Sequence, residues 1–212
     1  MVDREQRVRE IVEATLAILG EQGYKELTLR NLAQRMGGSI TLITHYFANR
    51  DLLLSGVLEV VLDDARKFSE QLMSIEDPHD RLRAVMLWFL PLSEVEVRNE
   101  RGRISLVAHQ DASPAIRDWL DEMEVAMRSV LAKAVSDFVE PDERDAIVDQ
   151  MRVWGSGMVL SVAEHPEIWT PERQLEALER FLNALRLTAN IRPTPGAARA
   201  RAGRTAAPAT DE

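Results

Sequence analysis

The chain has 212 residues, 45% of them apolar and 29% charged, which suits one large globular domain or two smaller ones and excludes a disordered composition. It lacks cysteine, so disulfides and thiolate metal sites are excluded, and no apolar run approaches the roughly 18 residues a membrane span needs. The formal net charge of −9 is unevenly spread: residues 1–50 hold seven basic and six acidic side chains, residues 51–185 fourteen and twenty-seven, and residues 186–212 five and two.

The opening residues are charged and lead into an amphipathic helix rather than a signal peptide, so a cytoplasmic protein is expected. Val8, Ile11, Val12, Thr15, Leu16 and Leu19 form the apolar stripe of a helix over 4–20. Gly23 reads as its left-handed stop, with Tyr24 packed beneath. Thr28 caps a second helix, because its hydroxyl can accept from a free amide of the opening turn; Leu29, Leu32, Ala33 and Met36 are its apolar side. Gly37-Gly38 supplies the positive φ of a sharp reversal. Ser39 caps a third helix, whose inward positions are Ile43, Tyr46 and Phe47.

Two short helices joined by a tight turn read either as a helical hairpin used only for packing or as a helix-turn-helix, whose second helix lies in the DNA major groove. With Ile43 and Phe47 inward, Ile40, Thr41, Leu42, Thr44 and His45 point outward. Hydroxyls and an imidazole reach phosphate oxygens or base edges, and Ile40 or Leu42 can touch a thymine methyl. Asn49 reads as the cap of a fourth helix whose positive end, with Arg50, suits a phosphate. The acidic body then repels DNA and keeps the nearly neutral end down.

That fourth helix spans about 50–74, and Asp77-Pro78 opens the next, over 78–97, kinked or split by Pro91. A shorter helix over 101–112 carries His109 and Gln110. Ser113-Pro114 starts a helix to about Val139, in which Trp119, Met123, Met127, Val130 and Leu131 recur at three- and four-residue steps. Pro141 and Pro171 open the last two helices, over 141–163 and 171–190. Gly155-Ser-Gly157 weakens the first of them by about 1 kcal/mol per glycine, so close approach of another helix is expected there. Beyond Ile191 no apolar periodicity survives, and residues 192–212 read as a disordered tail.

The search for catalysis is thin. His45, His79, His109 and His165 show no paired metal spacing, and there is neither a phosphate-binding glycine loop nor a nucleophile elbow. No enzymatic activity and no cofactor are expected.

Residues 5–55 resemble the DNA-binding domain of the tetracycline-repressor (TetR) family of bacterial regulators. The resemblance rests on Ile11-Val-Glu-Ala-Thr-Leu-Ala-Ile-Leu19, Gly23-Tyr, Leu27-Thr-Leu-Arg-Asn-Leu-Ala33, Gly37, Ser39, His45-Tyr-Phe47 and Arg50-Asp-Leu-Leu53. It implies phosphate and base contacts at Thr28, Arg30, Ser39, Thr41, Leu42, Thr44, His45 and Arg50. Gly38, Leu42 and Thr44 depart from the family pattern, where a branched apolar residue, threonine and tyrosine are usual. The run into His45-Tyr-Phe47 is most similar to the branch that includes betaine-responsive regulators. The fold this implies is all-α: a three-helix helix-turn-helix domain at 1–49, and a helical ligand-binding and dimerisation domain at 50–191, about nine helices in all.

By the same resemblance an effector pocket is expected among Met86, Trp88, Phe89, His109, Gln110, Trp119, Met123 and Met127. A four-helix homodimer interface is expected on the last two helices, at Met151, Trp154, Gly155, Met158, Val162, Leu178, Phe181 and Leu185. The implied function is a ligand-responsive repressor that binds a palindromic double-stranded operator and is released by a small molecule, with no membrane partner. The other reading is a helical ligand-binding or adaptor protein with weakened DNA binding.

Overall fold

In the computed structural model, which describes residues 4–187, the apolar periodicities of the sequence become nine α-helices, with no strand among the described residues. The first, α1 (Arg4–Gln22), ends at Gly23, whose φ of 83° is open to glycine and strained for other residues. A single 3-10 turn at Tyr24–Glu26 follows. Thr28 accepts from the Asn31 amide to cap α2 (Leu29–Arg35), and Gly37, at φ 65°, makes the reversal. Ser39 caps α3 (Ile40–Tyr46) through the Leu42 amide. Asn49 does the same for α4 (Arg50–Met73) through Leu52.

The next stretch departs from expectation. The helix expected over 78–97 stops at Trp88 as α5 (Pro78–Trp88), and the one expected over 101–112 begins seven residues earlier as α6 (Glu94–Val107). The cause is local: Ser93 and Glu96 form a reciprocal capping box, whose cap residue Ser93 starts a new helix four residues after Phe89 ends the last. Pro91 sits in the intervening turn, and its carbonyl accepts from the buried Gln174 amide at 3.1 Å.

Ser113 caps α7 (Pro114–Ala134), which ends five residues short of the expected Val139. Then come α8 (Pro141–Glu164) and α9 (Pro171–Leu185), the latter closed by Arg186 in the left-handed region at φ 49°. The tail expected beyond Ile191 lies outside the described residues, as do the last residues expected of α9.

Two apolar clusters hold the helices. One joins α4, α5, α7, α8 and α9 around Met86, Leu131, Val148, Met151 and Leu178. The other gathers Ile11, Ile18, Leu32, Ile43 and Leu54 with Leu106, Ile116 and Trp119, so it crosses residue 50. Ile18 was not expected in the stripe of α1, where Val8 and Leu16 are only half-buried. It is buried because α6 packs on a second flank of α1. There the backbones nearly touch: a Cβ on Gly20 would overlap the Arg98 carbonyl oxygen, and one on Gly102 would lie 3.0 Å from Leu19 Cβ.

Candidate nucleic-acid interface and ligand cavity

The geometry of α3 follows from one inward residue. Ile43 is fully buried, Tyr46 and Phe47 are half-buried, and the Phe47 ring fills the space over Gly56 of α4. This leaves Ser39, Ile40, Thr41, Thr44 and His45 exposed along one side. Thr28 and Arg30, at the start of α2, are exposed too, and Arg30 has no intramolecular partner among the described residues. The Thr44 hydroxyl donates to the Thr41 carbonyl at 3.2 Å, and the His45 ring meets Tyr46 edge-on.

Leu42 departs from the outward position expected of it. It is half-buried, and its Cδ2 would lie 3.1 Å from a Cβ at Gly38. The physical reason is space: glycine at 38 leaves a gap beside the helix, and the leucine side chain folds back into it. The two departures from the family pattern at 38 and 42 therefore fit each other.

Arg50 is half-buried, with its guanidinium 4.3 Å from the Tyr24 ring centre. Tyr24 in turn meets the His109 ring at 5.4 Å and donates its backbone N–H to Ser105 Oγ at 2.9 Å. Beside it, the Ser113 hydroxyl donates to Asp51 at 2.8 Å. The start of α4 is thus clamped to residues 105–113, the junction of α6 and α7. Arg35 pairs with Glu21, joined by Arg98; the Arg35 hydrogen bond above all holds the Glu21 carboxyl below its ordinary range.

A cavity of about 300 Å³ opens between α1, α4 and α5 to α8. Of the residues expected to line a pocket, Trp88, Phe89, Trp119, Met123 and Met127 meet there. Met86 does not; it is fully buried in the core of the body. Nor do His109 and Gln110. His109 Nδ1 lies 2.8 Å from the Ser105 carbonyl against Tyr24, and Gln110 opens an exposed 3-10 turn, because the earlier start of α6 carries its end away from the cavity.

In their place α6 contributes Glu96, Asn99, Glu100 and Arg103, and α8 contributes Arg152, Gly155, Ser156 and Val159. The α6 set follows the i, i+3, i+4, i+7 pattern of one helical face, which becomes legible once Ser93-x-x-Glu96 is recognised as a helix start. Glu96 is occupied by its capping contacts, Glu100 pairs with Arg103 at 2.7 Å, and Arg152 holds Glu124 and Ser156. Burial raises the Glu124 carboxyl, but Arg152 and then Arg128 outweigh it and bring it below its usual value. Trp119 is 4% exposed, and its indole N–H is buried without a partner among the described residues. A Cβ on Gly155 would meet nothing within 4 Å.

The outward face of α8 also differs from expectation. Met151, Met158, Val162 and Leu178 are buried within the chain itself, in the core shared with α5, α7 and α9, and Gly155 is buried beside the cavity. Trp154 and Phe181 stack at 4.6 Å and are half-buried, as is Leu185. Among the residues that α8 leaves exposed, beyond the polar Asp149 and Gln150, are Val153 at 74% exposure, Gly157, and Leu160 at 47%. Among the described residues nothing lies within 4 Å of where a Cβ on Gly157 would stand. Among the described residues no helix is long and apolar enough to cross a membrane, and no side chains group as a metal site.

Residues 11–57 match the family model for bacterial regulatory proteins of the tetR family, and residues 78–187 that for the C-terminal region of BetI-type transcriptional repressors. The HTH-type transcriptional regulator BetI of Burkholderia ambifaria is 35% identical over 85 residues, 39% of this chain and 44% of that protein. BetI of Yersinia pestis is 34% identical over 82 residues, 37% and 41% of the two chains. The chain thus spans less than half the length of the curated relatives it matches. The fold is shared with a transcriptional regulator from Rhodococcus sp. Rha1 (TM-score 0.75, 21% identity, 88% of this chain and 99% of the other). It is also shared with a Saccharomonospora viridis protein crystallised in complex with choline (TM-score 0.72, 18% identity, 85% and 97%).

Proposed function

The chain belongs to the tetR family of bacterial regulatory proteins, with a BetI-type C-terminal region, and from that premise we propose that it is a ligand-responsive repressor acting as a homodimer on a palindromic operator. The observation that carries this is the exposed row Thr41, Thr44 and His45 around the buried Ile43. Such a row reads a groove, whereas an adaptor has no need to hold hydroxyls and an imidazole outward on a short helix. Residues 1–49 then serve DNA binding, and residues 50–191 hold the effector and the partner subunit. The partner meets the outward face of α8 at Val153, Gly157 and Leu160, continued by Trp154, Phe181 and Leu185.

The test is selection of bound duplexes from a random pool. A two-fold palindrome is the expected product, and His45→Ala should weaken binding to it by about tenfold, the effect of one charged-group hydrogen bond. Unselective or absent binding would favour the adaptor.

The effector we infer is a small alkylated ammonium compound in the 300 Å³ cavity. Trp88, Phe89 and Trp119 offer aromatic faces to such a cation, with the Glu100 carboxylate nearby. The unpartnered Trp119 N–H suits an oxygen on the same molecule. The choline held by the Saccharomonospora protein is of this class. Filling the cavity displaces α6 and α7, and their junction at 105–113 shifts the start of α4. The two α3 helices then depart from the 34–36 Å spacing of successive major grooves, and both half-sites can no longer be engaged together.

Gly155→Leu sends a side chain into the open space of the cavity. The expected variant binds operator as the parent does but is no longer released by choline, as read by fluorescence anisotropy of labelled DNA. A variant that still responds to choline would move the effector elsewhere.

A further inference from the structure

On the DNA-binding reading, we propose that Ile40 reads the C5-methyl group of a thymine in each half-site and so fixes an A·T pair in the operator. Two apolar side chains of α3 have the chemistry for this, Ile40 and Leu42, and their burial separates them. Leu42 is folded back into the gap at Gly38, with Cδ2 at 3.1 Å from where a Cβ would stand, so it is engaged in packing. Ile40 is 48% exposed, on a face otherwise made of hydroxyls and an imidazole.

The major-groove edge of a base pair presents donors, acceptors and one apolar group, the thymine methyl. Isoleucine offers neither a donor nor an acceptor, so guanine, cytosine and adenine edges give it nothing and would lose water against it. Its branched side chain is also held near one χ1 rotamer in a helix, so little freedom is lost when it makes contact. Ser39 and Thr44 are already engaged by the helix, through the Leu42 amide and the Thr41 carbonyl, which leaves Ile40 as the preorganised apolar contact of this face.

The experiment uses the full chain and the duplex it selects, with each thymine replaced in turn by deoxyuridine, which removes the methyl group alone. One position per half-site should lose about fourfold in affinity, the effect of one buried methyl, and the symmetric double replacement about fifteenfold. Ile40→Ala should bind thymine and uracil operators equally at that position, with an unchanged far-ultraviolet circular dichroism spectrum. Leu42→Ala should keep the discrimination. No uracil-sensitive position, or a sensitivity that persists in Ile40→Ala, would overturn this assignment and leave the DNA-binding reading intact. Selection of no duplex at all would overturn both.

Discussion

Gly157→Arg should give a folded monomer whose operator affinity is lower by about 10²- to 10⁴-fold, the range lost when two linked half-site contacts become one. The argument starts from open space. Among the described residues of one chain a Cβ at 157 meets nothing within 4 Å, so arginine fits there without strain. It should even strengthen α8 locally, because replacing a helical glycine gains roughly 1 kcal/mol of helix propensity. A glycine on an outward face between Val153 and Leu160 is destabilising unless another surface comes close enough to need it. The expected partner is the same face of a second copy, as two-fold symmetry demands. Light scattering should report half the parent mass, and operator titration the loss of affinity. A dimer that survives both Gly157→Arg and Val153→Glu would mean that the subunits meet elsewhere.

Gly20→Val should lower the free energy of unfolding by about 3 kcal/mol, the upper part of the range for forcing extra atoms into a packed interior. What a Cβ would meet at Gly20 is the Arg98 carbonyl, a backbone atom that cannot swing away. Helices α1 and α6 must then separate, and with them the DNA-binding end and the cavity wall. Gly20→Ala brings the same overlap with fewer atoms and should show a smaller loss. The measurement is urea denaturation followed by circular dichroism, with Gly155→Ala as the control in which a methyl meets the open space of the cavity. Equal stability of Gly20→Val and the parent would mean that the close crossing carries no energetic weight.

The crossing bears on function because α6 serves two neighbours. One face holds Glu96, Asn99, Glu100 and Arg103 toward the cavity, and another seats Leu19 and Gly20 against Gly102. A ligand that moves α6 therefore acts on α1 as well as on the start of α4 through Tyr24 and Ser113.

Helix starts were largely legible in the sequence because caps are local. Thr28, Ser39, Asn49 and Asp77 each accept from an amide two or three residues ahead, and such a bond needs no distant partner. The one start that was missed, at Ser93, was local as well; the apolar run across Pro91 hid it, and the capping box was the signal that would have found it. The aromatic and methionine wall of the cavity was legible for a related reason, since Trp119, Met123 and Met127 repeat at helical steps on one helix.

From the sequence alone came the all-α class, the reversal at Gly37, the inward Ile43 with its outward hydroxyls, and the absence of thiol chemistry. The tertiary structure decided which flank each helix turns inward. Periodicity defines a stripe on a helix, but burial depends on neighbours far along the chain, and α8 touches partners on more than one side. That is why Met151 and Met158 went to the core while Val153 and Leu160 stayed in solvent. It is also why two glycines two residues apart, Gly155 and Gly157, face a cavity and the outside respectively: one step of two residues on a helix turns the side-chain position by more than half a circle.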